Sequence, residues 1–498
     1  MSGSPAPAGV AGRLSAPHGV PARPSAFLAR RTRHETYNDL IFIGLLLCLA
    51  WVPFLLGSNR LLAWGLNAGL FGGLLILFEA GMLATGTHHA IAPRRLWWAF
   101  LLWAVVIGWI VFQLSGWAPQ SWQNPFWQLS ADILNRVPGA EPATGSISVT
   151  PDSGVRGLVL LLTSSIAFYL ALQLCRDGRR AHLFLPALAV IAVAYAVFGL
   201  AQFALSPETL LWFERQAYVG QVTSTFVNKN SYATYAGIGL VATVGLLIDV
   251  YRRAGPRRDM PVGMRAAAFA EVTLTRALVI LAGVGVIGIA LVLTISRAGF
   301  LASMAGLVAL ILLVLTAARR RWLIVAVAVP VLGVLFAAMV LFGDDLGGRF
   351  ELQSASDPRW AVLQRTLEAV RDAPLTGFGY GSFDRMFAVY RGAEAFSPWH
   401  HWDKAHNTYV ELLFDLGIPA AAALFLLVGA LLTVMLANAL RRQAPHMLSF
   451  VALAASITVL SHAAFDFSLQ IQAVAITWWA LVGAGLAQSW SRRIDTSS

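Results

Sequence analysis

Charged residues are scarce in this sequence, and their scarcity excludes an ordinary soluble protein. Only 12% of the 498 residues are Asp, Glu, Lys or Arg, while 57% are hydrophobic; soluble domains usually contain about 25% charged residues. The hydrophobic residues form repeated runs of roughly 20 residues, and each run is long enough to cross a hydrocarbon core about 30 Å thick. Because lipid offers the backbone no hydrogen-bond partner, such spans must be helical. The composition predicts an all-α, polytopic membrane protein.

Cysteine is nearly absent as well. The two cysteines, Cys48 and Cys175, both fall in predicted spans, which argues against a structural disulfide. The first 36 residues are rich in Pro, Ala and Arg and have too little apolar surface to fold, so we expect a disordered, basic cytoplasmic tail and no signal peptide. Residues 37–489 would then form a helical membrane domain, and residues 490–498 a cytoplasmic C-terminal tail.

The apolar runs predict twelve transmembrane helices. Their approximate limits are 40–57, 61–84, 96–116, 156–175, 183–205, 231–251, 277–295, 298–318, 322–343, 416–439, 447–466 and 471–489.

Basic residues between the spans set the orientation, because cytoplasmic loops collect Arg and Lys. With the N-terminus inside, the cytoplasmic side has 23 Arg or Lys against 7 Asp or Glu, and the other side has 13 against 17. The formal net charge of +11 therefore reflects orientation in a lipid bilayer, and no nucleic-acid partner is expected. Both termini are predicted to be cytoplasmic.

The largest predicted loop, residues 344–415 between spans 9 and 10, lies on the external side and should be partly helical. A helix should begin at Asp357 and Pro358 and end before Pro374. Its apolar residues recur at helical spacing and predict one stripe that faces the membrane or neighbouring spans. The stripe consists of Trp360, Leu363, Leu367 and Val370. The Gly-rich segment 377–381 favours a tight turn after the helix.

The end of this loop, SPWHHWDKAHNTYVELLFDLG (397–417), contains three of the ten histidines and one of the two lysines. Guanidinium groups bind phosphate oxygens with bidentate geometry, and a histidine near its ordinary pKa exchanges a proton at neutral pH. Arginines and a histidine on one outer face therefore suit a lipid-linked diphosphate whose head group is transferred there.

Two other interpretations of these histidines stay open. One is a metal site formed by His400, Asp403 and His406, although no helical or hairpin spacing organises these side chains. The other is an interfacial anchor formed by His400 and His401 with the adjacent tryptophans, whose rings prefer the membrane surface. These tryptophans are Trp399 and Trp402.

Five motifs resemble, in this order, those of the O-antigen ligase and polymerase superfamily. They are VTSTFVNKNSYATY (222–235), LTISRAGFLA (293–302), DPRWAVLQRTLEAVRDAPLTGFGYGSF (357–383), KAHNTYVELLFDLGIPA (404–420) and SHAAFDFSLQIQA (461–473). The resemblance extends over roughly residues 195–480 and includes the periplasmic loop.

The resemblance implies a bacterial inner-membrane glycosyltransferase with a GT-C-like helical fold. Such an enzyme transfers a glycan from an undecaprenyl-diphosphate-linked donor, at the periplasmic face, to a hydroxyl of a glycan or lipid A-core acceptor. It would need no metal or other cofactor. The segment DFSLQIQA (466–473) is more typical of members that polymerise exopolysaccharide than of ligases. A transporter or flippase of lipid-linked sugars is the alternative, and it would usually show internal repeats and broken helices at the midplane.

The resemblance also implies roles for individual residues. His406 and Arg297 match catalytic positions, although Arg297 could instead make a plain turn or lipid contact. The donor-binding residues would be Arg359, Asn228 and Asn230, which match family positions, together with Arg215, Lys229 and Arg391 from the cations of the external face. The supporting residues would be Asn407, Gly377, Gly379 and Asp466. The chain has Gln221 and Ser224 where relatives often have an arginine and a Gly-Thr-Phe segment, so Arg215 or Lys229 would supply a missing phosphate contact.

Two polar features have no place in these motifs. Asp466 and His462 are expected to form a structural ion pair, with each other or with a periplasmic arginine. Glu79 lies within the second span, where a charge is costly, and the sequence indicates no partner for it.

Overall fold

The structure is a computed structural model, and it describes residues 33–139, 144–255, 260–317, 358–392, 402–442 and 446–490, with single positions at 3, 329 and 333. The predicted tails and the ninth predicted span (322–343) lie wholly or largely outside these ranges. His400 and His401 also lie outside them.

The described residues form fifteen α-helices. They are α1 (Arg33–Trp51), α2 (Leu61–Thr85), α3 (Trp97–Leu114), α4 (Pro125–Leu134), α5 (Pro151–Leu174), α6 (Gly178–Leu205), α7 (Lys229–Ala254), α8 (Val262–Val272), α9 (Leu278–Leu293), α10 (Arg297–Ala317), α11 (Pro358–Asp372), α12 (Phe383–Tyr390), α13 (Thr408–Arg441), α14 (Met447–His462) and α15 (Gln472–Ser489). A small antiparallel hairpin of β1 (Thr209–Leu210) and β2 (Phe213–Glu214) pairs Thr209 with Glu214.

Eight helical stretches in the described ranges are long and apolar enough to cross a membrane, and α14 is apolar but shorter. They confirm the expected helical, multi-pass membrane protein, whereas the total of twelve spans stays a prediction. α8 and α9 form one continuous stretch, Val262–Leu293, joined by a π-helical turn, so this helix begins well before the predicted span at 277. α13 likewise begins at Thr408 and not at 416. Hydropathy misses these first turns because they contain charged residues.

α7 lies at the centre of the bundle, in contact with α6, α9, α10 and α14. Its glycines allow this close packing, because a Cβ at Gly237 would overlap the Ser303 side chain on α10 and one at Gly239 would overlap Ala192 on α6. The central position of α7 fixes Lys229 and Asn230 in the middle of one end of the bundle. We call this end, where α7, α10 and α13 begin and α14 ends, the site end.

A second hydrophobic core lies at the site end, outside the bundle. It joins α11, α12 and the start of α13 through buried residues such as Phe383, Phe387 and Phe414. The Phe383 and Phe387 rings stack with centroids 4.8 Å apart. Trp402 is buried in the same core, so its ring does not face lipid as an interfacial anchor would. Trp399, His400 and His401, the other members of the predicted anchor, lie outside the described residues.

The apolar stripe predicted for α11 is only partly buried against the second core, where Val370 is buried and Leu363 half-buried; its orientation toward a membrane stays a prediction. Trp360 and Leu367 are 61% and 41% exposed, whereas Val362, Thr366 and Ala369 are completely buried. The small side chains of Thr366 and Ala369 allow α11 to approach the core closely. The helix ends at Asp372, two residues before Pro374, as predicted.

Candidate functional site at the ends of α7, α10 and α13

The segment before α13 is bonded to the turn after α14, and these bonds bring His406 beside Asp466. Asn407 caps α13, since its Oδ1 accepts two backbone N–H groups of the first turn at 3.1 Å each. Its Nδ2 donates to the Ala464 carbonyl at 2.9 Å. Thr408 Oγ1 donates to the Asp466 carbonyl at 3.0 Å. The chain on the C-terminal side of His406 is therefore fixed.

His406 has a backbone conformation that non-glycine residues seldom adopt, with φ at 52°. Its ring meets Trp402 and Phe467 edge-on, with centroids 5.5 and 5.1 Å away, and 17% of its side chain is exposed. Nδ1 is buried without a hydrogen bond and lies 3.7 Å from Asp466 Oδ1, which is ion-pair range but too long for a hydrogen bond. Nε2 is therefore the ring nitrogen available to a substrate.

Asp466 is completely buried and connects three elements of the site end. Its Oδ1 accepts from Asn230 Nδ2 at 3.1 Å, and its Oδ2 accepts from the Ser468 hydroxyl. Asn230 Oδ1 in turn accepts from Ser296 Oγ at 2.8 Å. Burial alone would raise the pKa of Asp466, but the donors and imidazoles around it outweigh burial and hold the pKa below its usual range. The carboxylate is therefore charged at neutral pH.

Arg297 is the first residue of α10. It directly follows Ser296, so the hydrogen bond from Ser296 to Asn230 fixes the start of α10 next to α7. Lys229 also contacts this turn, because its Nζ donates to the Ile295 carbonyl at 3.2 Å. Both cations thus come from helix starts that the Asp466 network holds together.

Tyr218, in the loop before α7, lies between several charged residues of the site. Burial raises the pKa of Tyr218, the negative charge of Asp466 raises it further, and the positive charge of Arg359 opposes the rise. Lys229 Nζ lies 5.7 Å from the centroid of its ring. Because such interactions weaken with distance, the exposed Arg359 at the start of α11 shares the neighbourhood of Lys229 and Asp466.

Arg215 makes structural contacts within its own loop. Its guanidinium donates to the carbonyls of Thr209, Tyr218 and Gln221 at 3.1 to 3.3 Å, and burial lowers its pKa. These bonds occupy donors that a diphosphate would need. Ser224, which like Gln221 differs from the residue that relatives often have, donates to the Tyr195 carbonyl at 2.7 Å.

Two further predicted donor-binding residues lie at helix ends. Asn228 caps α7, with its Oδ1 accepting from the Asn230 N–H at 2.7 Å. Arg391 ends α12, and its N–H donates to the Phe387 carbonyl at 3.0 Å.

Comparison with known proteins identifies the region that contains most of this site. Residues 279–425 match the family model described as O-antigen ligase. This region of the chain is O-antigen ligase-related. A comparison with curated proteins gives no match. The matched region includes Arg297, Arg359 and His406, while Asn230 and Asp466 lie on either side of it.

The Gly-rich turn packs against a break in α13. α13 departs from helical geometry at Gly417, and the freed Asp415 carbonyl accepts from the Gly379 N–H at 3.0 Å. The Gly381 N–H donates to Asp415 Oδ2 at 2.8 Å. Gly377, Gly379 and Gly381 all have positive φ, at 62°, 100° and 77°, and a Cβ at Gly377 would lie 2.5 Å from the Asp415 carbonyl oxygen. The predicted tight turn is confirmed.

Lys404 and Glu411 fix the chain on the N-terminal side of His406. Glu411 is buried; its Oε1 lies 3.3 Å from Lys404 Nζ, and its Oε2 accepts from the Ala405 N–H at 2.8 Å. Burial alone would lower the pKa of Lys404, but nearby carboxylates, first that of Glu411, outweigh it and raise the pKa. His406 is thus fixed from both sides.

Sequence reasoning missed several residues of the site and misjudged others. Glu411 was missed. Its position at the start of an apolar helix, where an acid needs a partner, was a signal that could have found it, but the sequence did not indicate Lys404 as that partner. Asp466 was expected to pair with His462 or with a periplasmic arginine. The ion pair within 4 Å is with His406, while His462 Nδ1 shares a 2.5 Å hydrogen bond with Thr234.

Away from the site, Glu79 does have partners. It accepts from the Tyr169 hydroxyl at 2.6 Å and lies 3.0 Å from His89 Nε2. As for the alternative metal site, the described ranges contain no group of three or more His, Cys, Asp or Glu that could hold a metal ion. His400, one of its three proposed ligands, lies outside those ranges.

Proposed function

We propose that this O-antigen ligase-related protein is an inner-membrane glycosyltransferase that acts at the periplasmic face without a metal ion. It transfers a glycan from undecaprenyl diphosphate to a hydroxyl of a glycan or of lipid A-core. The observation that carries the proposal is the pairing of His406 with the buried Asp466. His406 has a strained backbone conformation and lies inside the region that matches the O-antigen ligase family.

In the proposed reaction, the acceptor hydroxyl oxygen attacks the anomeric carbon of the donor sugar. The bond from this carbon to the diphosphate breaks, and undecaprenyl diphosphate leaves with the bonding electrons. His406 Nε2 accepts the hydroxyl proton, and Asp466 stabilises the resulting imidazolium from the Nδ1 side. The strained φ of His406 fits this role, since backbone strain often occurs at functional sites.

The donor diphosphate would be neutralised by cations of the site end. Arg297, Lys229 and Arg359 come from three different elements that meet around Asp466 and Tyr218, which supports a shared role. Arg215 is the weakest of the expected donor contacts, because its guanidinium bonds to its own loop. Its proposed role is to shape the loop that contains Tyr218.

The test is reconstitution of the purified protein in liposomes with an undecaprenyl-diphosphate-linked oligosaccharide and a glycan or lipid A-core acceptor, in the presence of EDTA. The proposal predicts a new glycosidic product together with free undecaprenyl diphosphate. Movement of intact donor across the bilayer without product would favour the flippase alternative. Activity that disappears with EDTA and returns with a divalent cation would contradict the metal-independent mechanism.

A further inference from the structure

The end of the bundle opposite to His406 contains a group of basic residues contributed by four helices. We call it the basic cluster. It consists of His182 of α6, Arg252 and Arg253 of α7, Arg442 after α13, and His446 before α14. α7, α13 and α14 all have their other ends at the site end. From Asn230 to Arg253, α7 rises about 35 Å, close to the thickness of a hydrocarbon core.

The two imidazoles of the basic cluster contact each other and an arginine. The His182 and His446 rings lie 4.8 Å apart, and Arg253 Nη2 lies 3.1 Å from His182 Nδ1. Asp249 offsets part of the charge, since it lies 2.8 Å from Arg253 Nε. The three arginines of the cluster leave a positive charge that this one carboxylate does not neutralise.

The hydrogen bonds of His446 define where its proton is. Its Nδ1 accepts from the Leu448 N–H at 3.2 Å, so the proton of the neutral ring is on Nε2. This Nε2 is buried and has no hydrogen-bond acceptor among the described residues. Burial, and then the positive charges of its basic neighbours, lower the pKa of His446 to about 3. A buried donor without an acceptor, surrounded by positive charge, is a suitable place for an anionic oxygen.

We propose that the basic cluster binds the phosphate group of an anionic phospholipid. A lipid is the expected source because the cluster lies where apolar helices end, at the depth where a head group meets them. Basic pockets between transmembrane helices recognise such head groups. The proposal does not depend on the chemistry proposed for the site end.

Two variants test the cluster by different means. His446→Asn keeps a side chain that caps α14 but removes the imidazole Nε2–H. Arg253→Gln removes a guanidinium while leaving a polar side chain. Arg94→Gln is the matched control, because Arg94 is exposed in the short 3-10 turn before α3, at the same end of the bundle. It also loses one positive charge.

The experiment measures phosphatidylglycerol bound to the full-length protein, by native mass spectrometry from mixed micelles with phosphatidylcholine as competitor. The loss of one charge-assisted contact should weaken retention roughly tenfold in both cluster variants, with no change in Arg94→Gln. Thermal unfolding of each variant, measured in parallel, should show a folded protein. Retention at the wild-type level in both variants would overturn the proposal. Displacement of the lipid by millimolar inorganic phosphate would overturn the assignment to a phospholipid.

Discussion

Replacing Asp466 by Asn is expected to slow glycan transfer strongly while the fold stays intact. Asparagine has the same size and can still accept from Asn230, but it removes a negative charge 3.7 Å from His406 Nδ1. Two unit charges at this distance interact by about 4.5 kcal/mol at an effective dielectric constant of about 20. Since His406 is partly exposed, we expect about 2 to 4 kcal/mol of lost stabilisation when the ring is protonated. This corresponds to a roughly 30- to 1000-fold lower kcat.

The assay is transfer in liposomes, with kcat and the donor KM determined separately. The donor KM should change little, because Asp466 is buried behind His406 and carries no positive charge for the diphosphate. Glu368→Gln is the control, since Glu368 is an exposed acid of α11 that pairs with Arg365 at 2.8 Å and its loss should leave the rate unchanged. A kcat reduction of less than about threefold in Asp466→Asn would refute the reasoning.

Three further changes test how the site is built. Gly377→Ala places a Cβ at a left-handed position against the Asp415 carbonyl and should lower the free energy of unfolding by about 2 kcal/mol or more. Gly285→Ala is the control, because its Cβ meets no atom within 4 Å. Equal thermal stability of the two variants would contradict the packing of the Gly-rich turn against α13. Glu411→Gln keeps an oxygen that accepts from the Ala405 N–H but loses the negative charge that pairs with Lys404. The rate of glycan transfer should fall about tenfold with the protein still folded. An unchanged rate would show that the Lys404–Glu411 pair does not position His406. Because the folded-state pKa of Lys404 is raised, its stabilising contribution is present below its ordinary pKa and is lost as the pH rises through the raised value. The difference in unfolding free energy between wild type and Lys404→Met should therefore be constant up to about pH 10 and decrease above it. A decrease already between pH 7 and 9 would contradict the ion pair.

The sequence predicted the parts of the fold that depend on local chemistry. Long apolar runs indicated the membrane helices. The glycines at 377, 379 and 381 indicated a turn because glycine tolerates a positive φ, and each of them adopts one. The start of α13 was missed because Glu411 and Asp415 lower its hydropathy. Both acids are buried through contacts with residues outside α13, which a local window cannot detect.

The candidate site was predictable as a set of residue types and only partly as an arrangement. His406 stood out because an imidazole, a lysine and two tryptophans occur together in an apolar chain. Its neighbour Asp466 is 60 residues away, and Asn230, which bonds Asp466, is 236 residues from it. Such contacts depend on how the helices pack. Arg215, expected to hold phosphate, bonds instead to carbonyls three to six residues away, because its irregular loop folds back on it in a way that no sequence motif indicates.

The most direct test of the central claim is the rate of glycan transfer by His406→Ala in liposomes, measured with donor binding on the same preparation. The account predicts a loss of about 10² to 10⁴ in rate, as for other positioned acid–base groups, with protein level and donor affinity close to wild type. Near-normal transfer by His406→Ala would contradict the account, because no other group has been assigned to the acceptor proton.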